Sequence, residues 1–101
     1  MKKGGCRFQP NHVPFAMGPI FFGPHASELL DFGEVTAALV RHAFGDWGEV
    51  DHQVRFANQR ALRERTQVSS KYRTADNREF WVTTDLDQRR TTVLVDEDVS
   101  L

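Results

Sequence analysis

Cysteine is almost absent. Cys6 is the single thiol, so the chain closes no disulfide on itself, and it reads as a product of a reducing compartment with Cys6 as a spectator. Net charge is nearly absent too: 13 Lys and Arg against 14 Asp and Glu leave −1, which disfavours steering of the whole chain onto DNA or RNA. Long apolar runs are missing, and none approaches the roughly 18–20 residues a membrane span requires. Met1-Lys2-Lys3 resembles the start of a signal peptide, but Gly4-Gly5-Cys6-Arg7 stands where its apolar region would be. No G-x-S-x-G, P-loop or Rossmann fingerprint occurs, and no His/Cys/Asp/Glu spacing matches a zinc motif. The expectation is a soluble, cytoplasmic protein with no cofactor, no metal and no membrane partner.

Proline is scarce and segregated, all four residues lying within the first 24. There Pro10, Pro14, Pro19 and Pro24 alternate with Gly18, Gly23 and the aromatics Phe8, Phe15, Phe21 and Phe22. Proline restricts itself and its predecessor, which excludes helix for most of this stretch. Residues 18–22 suit a short strand at a sheet edge, because Pro19 cannot donate to a ladder. The phenylalanines read as core plugs.

With 101 residues, 40% of them hydrophobic and 27% charged, the chain reads as one domain. It divides into an arm (1–17), a helical part (24–65), a β-meander (67–95) and a solvated acidic tail (96–101). Pro24 suits the first turn of a short helix ending near 31–33. A second helix is expected over 34–44, where Val35, Ala38, Leu39, His42 and Ala43 form one apolar stripe. His42 on that stripe reads as a hydrogen-bonded core histidine, and Gly45 suits the position after the helix. A third helix is expected over 51–65, with Asp51 at its start and Val54, Ala57, Ala61 and Leu62 inward. From 67 the period changes to two. Residues 68–73, 79–83 and 91–95 have strand composition, with turn residues between them. The fold class is therefore α+β. Two to three helices should cover one face of a three- or four-stranded antiparallel meander, the fourth strand being the N-terminal 18–22 segment, with a Pro/Gly/Phe-rich N-terminal arm.

Charge is unevenly placed. Arg55, Arg60, Arg63, Arg65, Lys71 and Arg73 face only Glu64 in their own window, and Arg55, Gln59 and Arg63 share one helix face. Arginine forks suit phosphate and carboxylate alike, so this patch is a candidate contact surface without naming the partner. Trp47, between Gly45 and Gly48, reads as a core plug. Trp81 alternates against Phe80 and Val82 and should face the other side of the sheet, where it is a candidate hot spot or a target for the arm.

His42-Ala43-Phe44-Gly45-Asp46-Trp47-Gly48, then Ala57-Asn58-Gln59-Arg60-Ala61-Leu62, then Trp81-Val82-Thr83-Thr84 and Thr91-Thr92-Val93-Leu94-Val95 together carry a resemblance. Residues 35–95 resemble a family of small bacterial proteins with an H-x-x-G-D-W-G turn and a W-V-x-T…T-T-V-L-V meander, often carried on plasmids and integrated mobile elements. Asp76-Asn77 stands where that family more usually has Asp-Gly. The resemblance implies a mobile-element accessory protein and transfers no catalytic residues.

The leading expectation is a non-catalytic binding protein that contacts a protein partner, in that setting a nucleoprotein defence complex, as anti-CRISPR and anti-restriction proteins do. Either the arginine patch makes the contact, or the acids Asp85, Asp87, Asp96, Glu97 and Asp98 imitate nucleic-acid phosphates. A DNA-binding regulator using the helix that bears Arg55 and Arg65 is the alternative. An mRNA-interferase-like toxin is the third, with Arg63, Lys71, Tyr72 and Arg73 on phosphate and His52 as acid or base.

Overall fold

The computed structural model describes residues 15–99. Their order is β1 (Ile20–Phe22), α1 (Pro24–Leu29), α2 (Phe32–Ala43), α3 (His52–Glu64), β2 (Gln67–Arg73), β3 (Glu79–Asp85), β4 (Arg90–Val95) and α4 (Asp96–Val99). The four strands form one sheet in the order β1-β4-β3-β2. The expected α+β class holds, with corrections.

The sheet is mixed rather than purely antiparallel. β2, β3 and β4 form the expected meander, but β1 runs parallel to β4, pairing Ile20 with Thr91 and Phe22 with Val93. Three helices and two strands intervene before β4, so β1 is not bound to the alternating direction that short hairpin turns impose. The second correction is the acidic tail, of which Asp96–Val99 forms a helical turn. Its Asp98 is not simply solvated: one carboxylate oxygen accepts from the His25 N–H (2.8 Å), the other from Ala26 (3.0 Å) and Val95 (3.1 Å). The first turn of α1 needs such an acceptor, since its N-cap Gly23 has no side chain. A Cβ at Gly23 would lie 2.4 Å from that carboxylate, so glycine there is what lets Asp98 approach.

The other helices start on local caps. Asp31 accepts from Glu34 N–H and Asp51 from Val54 N–H, so α2 begins two residues before the expected Glu34. α1 and α2 cover one sheet face, burying Ala26, Val35 and Ala38 against Tyr72, Phe80, Val82, Val93 and Val95. The β2–β3 turn closes through Asn77 at φ +74°, the left-handed conformation that the glycine of an Asp-Gly turn adopts freely.

A polar chain runs through the apolar interior. His42 is fully buried, with Nδ1 2.6 Å from Ser70 Oγ and Nε2 2.9 Å from Thr84 Oγ1. Thr84 Oγ1 lies 2.7 Å from Thr91 Oγ1, which donates to the Met17 carbonyl. A hydroxyl has one proton, which fixes the direction along the threonines. Thr91 spends its proton on Met17, so Thr84 donates to Thr91 and His42 donates from Nε2 to Thr84; the neutral ring then accepts at Nδ1 from Ser70. The imidazole is neutral, and burial pushes its pKa down to about 4.

The phenylalanines divide. Phe15 is buried with Trp47, while Phe21 and Phe22 stand exposed on the sheet edge rather than plugging the core. Cys6, Phe8, Pro10 and Pro14 lie outside the described residues. Among those described, no helix is long and apolar enough to cross a membrane.

Candidate functional site

The turn after α2 builds the ground on which α3 stands. Arg41 Nε donates to Asp46 (2.8 Å), Asp46 also accepts from Gly48 N–H, and the Tyr72 hydroxyl donates to the Asp46 carbonyl. The arginine beside it holds the Asp46 carboxyl below the usual carboxylate range. Gly48 has φ +72° and comes so close to β2 that a Cβ would sit 2.1 Å from the Lys71 carbonyl oxygen. That approach lets Lys71 N–H donate to the Trp47 carbonyl and Glu49 N–H donate to the Lys71 carbonyl. Trp47 is 3% exposed, stacked on Phe15 and edge-on to His42, and so is the expected core plug.

α3 follows along the edge of β2. Its buried positions are Asn58 and Ala61, with Val54 and Leu62 half-buried. Ala57, expected inside, is exposed, and Asn58 takes the inward place. The Asn58 amide donates to the Ser69 carbonyl (2.8 Å) and accepts from Ser69 N–H (3.0 Å), the two bonds a neighbouring strand would make.

Outward, α3 presents His52, Arg55, Phe56, Gln59, Arg60 and Arg63. A surface pocket of about 330 Å³ lies between Gly45, Trp47 and the His52, Arg55, Phe56 and Gln59 side chains. Arg55 reaches the Gly48 carbonyl (3.1 Å), holding the rim to the turn. Phe56 is 71% exposed. Burying such a ring against a partner gains about 1.5–3 kcal/mol.

The arginine patch is smaller than its sequence window implies. Arg73 is bound to Glu49 (3.1 Å), Glu79 (2.8 Å) and Asn77, and those carboxylates hold its pKa up, the Glu49 hydrogen bond most strongly. Lys71 lies 4.0 Å from Glu79 and 5.4 Å from the centre of the Trp81 ring, and Arg60 pairs with Glu64. Glu49 and Glu79 come from outside the window, Glu79 because antiparallel pairing sets it opposite Arg73. Arg55, Arg63 and Arg65 make no ion pair among the described residues.

Trp81 does alternate to the face opposite Phe80 and Val82, and is half-buried between Lys71 and Leu94 in register. The acidic candidates do not converge. Asp85 accepts from the N–H groups of Asp87 and Gln88 in the β3–β4 turn, whereas Glu97 pairs with Arg78 and Asp98 caps α1 at the opposite end of β4. The toxin set disperses as well. Tyr72 is buried on the helix-covered face, while Lys71 and Arg73 project from the other. Among the described residues, no group of three or more His, Cys, Asp or Glu side chains is arranged to hold a metal ion.

Sequence reasoning missed Asn58 and Phe56. Asn58 gave a weak signal, a polar residue where the helical period calls for an inward one. These features define a small mixed α+β domain with an arginine- and aromatic-lined pocket on its third helix. Comparison with protein-family models, curated proteins and solved structures gives no match for this chain.

Proposed function

We propose that the chain is a non-catalytic binding module acting by protein–protein contact through the outer face of α3. The observation that carries this is Phe56, 71% exposed beside Arg55, His52 and Gln59 over a pocket floored by Trp47. An exposed aromatic beside an arginine on a helix has the composition of an interface hot spot. The sequence resemblance supports a bacterial mobile element as the setting and a nucleoprotein host-defence complex as the target, hence anti-CRISPR or anti-restriction activity, and the single cysteine supports the cytoplasm as the compartment. Purified defence complexes presented to the immobilised protein test this directly. Wild type retains a complex; Phe56→Ser and Arg55→Glu lose it while keeping the thermal midpoint. Retention unaffected by either substitution, or no retention, sinks the proposal.

Arg55, Arg63 and Arg65, which make no ion pair among the described residues, favour one second reading, a DNA-binding regulator. Three phosphate contacts would give a log–log salt slope of about −3. A slope near zero excludes it.

A further inference from the structure

The segment Gly18-Pro19-Ile20-Phe21-Phe22-Gly23-Pro24 carries no charge and forms one outer edge of the sheet. The Pro19 carbonyl accepts from Thr91 N–H, and Gly23 N–H donates to the Val93 carbonyl. Strand alternation then turns the N–H and C=O of Ile20 and Phe22 outward, away from β4. The side chains are exposed as well: Ile20 by 36%, Phe21 by 51% and Phe22 by 38%. Proteins commonly blunt such an edge with charge, and this one has none. Beside it, Phe22, Ala26, Ser27, Leu30, Phe32 and Val35 line a mostly apolar pocket of about 180 Å³.

We propose that β1 pairs antiparallel with β1 of a second copy about a two-fold axis at Phe21, joining two sheets into one of eight strands. Three observations select a second copy as the occupant. The register is self-complementary: with Phe21 on the axis, Ile20 faces Phe22 of the partner, and four outward groups per copy make four hydrogen bonds. Pro24 has no N–H, so the pairing ends where the symmetric one ends. The pocket also fits the arrangement. Phe22 lies beside Val93 on the helix-covered side, so the partner's Ile20, directly opposite Phe22, is presented to the pocket under it, and the axis repeats this. Finally, charge is complementary. Gly18 packs on the Arg89 backbone, and Arg89 and Arg90 make no ion pair among the described residues, while the Asp85 carboxylate accepts from turn N–H groups. Gly23 packs on Asp98 of α4, where Asp98 is held by backbone N–H groups, Glu97 pairs with Arg78, and Asp96 makes no ion pair among the described residues. Antiparallel pairing sets each copy's arginine end beside the other's acidic end.

This inference is independent of the α3 proposal, and its readout is the oligomeric state alone. Sedimentation velocity of the wild-type chain over a concentration series should show a monomer–dimer equilibrium, with a dissociation constant of roughly 1–100 µM for so small an edge. Ile20→Lys and Phe22→Asp should each weaken it about tenfold or more, with the circular dichroism and cooperative melting of a folded chain retained. Mixing the two variants should restore dimer, because one crossing then pairs lysine with aspartate while the other keeps the native Ile–Phe contact. Wild type that stays monomeric overturns the proposal, whether the edge then takes another protein's strand or none. So does a dimer insensitive to both substitutions, or a mixture that fails to recover.

Discussion

The two edges of this sheet solve the same problem in opposite ways. On β2, every outward group of Ser69 and Lys71 is taken: Asn58 supplies both bonds to Ser69, and Trp47 and Glu49 supply both bonds to Lys71. On β1, the outward groups of Ile20 and Phe22 have no partner among the described residues, and their side chains stay exposed. The difference teaches that edge protection here is built from sequence-specific backbone satisfaction. Where a side-chain amide and a glycine turn are present the edge is closed, and where they are missing an apolar tripeptide is left outward.

The closed edge should be the costly one to disturb. Gly48→Ala puts a Cβ 2.1 Å from a backbone oxygen at positive φ. It should lower unfolding free energy by about 3–5 kcal/mol in urea denaturation. Acid should act next. His42 is held neutral, its pKa lowered to about 4 in the fold against about 6.5 in the unfolded chain. The unfolded state therefore binds the proton first, so this stability is complete above about pH 6.5 and is lost as pH falls towards 4, by roughly 3 kcal/mol in all. A His42→Gln variant should flatten that slope, which urea midpoints between those pH values will read. Asn58→Leu leaves the Ser69 N–H and C=O unpaired and should cost about 2–3 kcal/mol. It should also make β2 prone to irregular association, visible by light scattering. At the open edge, Ile20→Lys and Phe22→Asp remove only partly buried apolar surface and should lower monomer stability by about 1–2 kcal/mol at most, less than the closed-edge changes. A large loss there would mean β1 supports the fold rather than presenting a surface, and would erase the contrast.

Much of this was readable from residues alone. The stripe of Val35, Ala38, Leu39, His42 and Ala43 marked α2, Asp51 marked the start of α3, and alternation placed Phe80 and Val82 against Trp81. What stayed hidden depended on partners distant in the chain. Arg73 looked free because its carboxylates arrive from Glu49 and from across the sheet. Asp98 looked like a solvated tail because the helix it caps begins more than 70 residues earlier. Ala57 and Asn58 are adjacent on the helix, and only the position of β2 decides which faces inward. The candidate pocket was half visible, since Arg55 and Trp47 were marked but Phe56 was not.

The reach of Asp98 also sets an order of events in time. Asn58 and Ser69 are 11 residues apart, so the β2 side can assemble soon after it is synthesised. β1 and α1 emerge before the rest of the sheet, yet their pairing strand and their cap lie about 70 residues further along and follow it. The first-made strand is therefore among the last to be secured. During that interval Ile20, Phe21 and Phe22 lack even β4, and a nascent chain is more exposed to its neighbours on a polysome than the finished protein ever is.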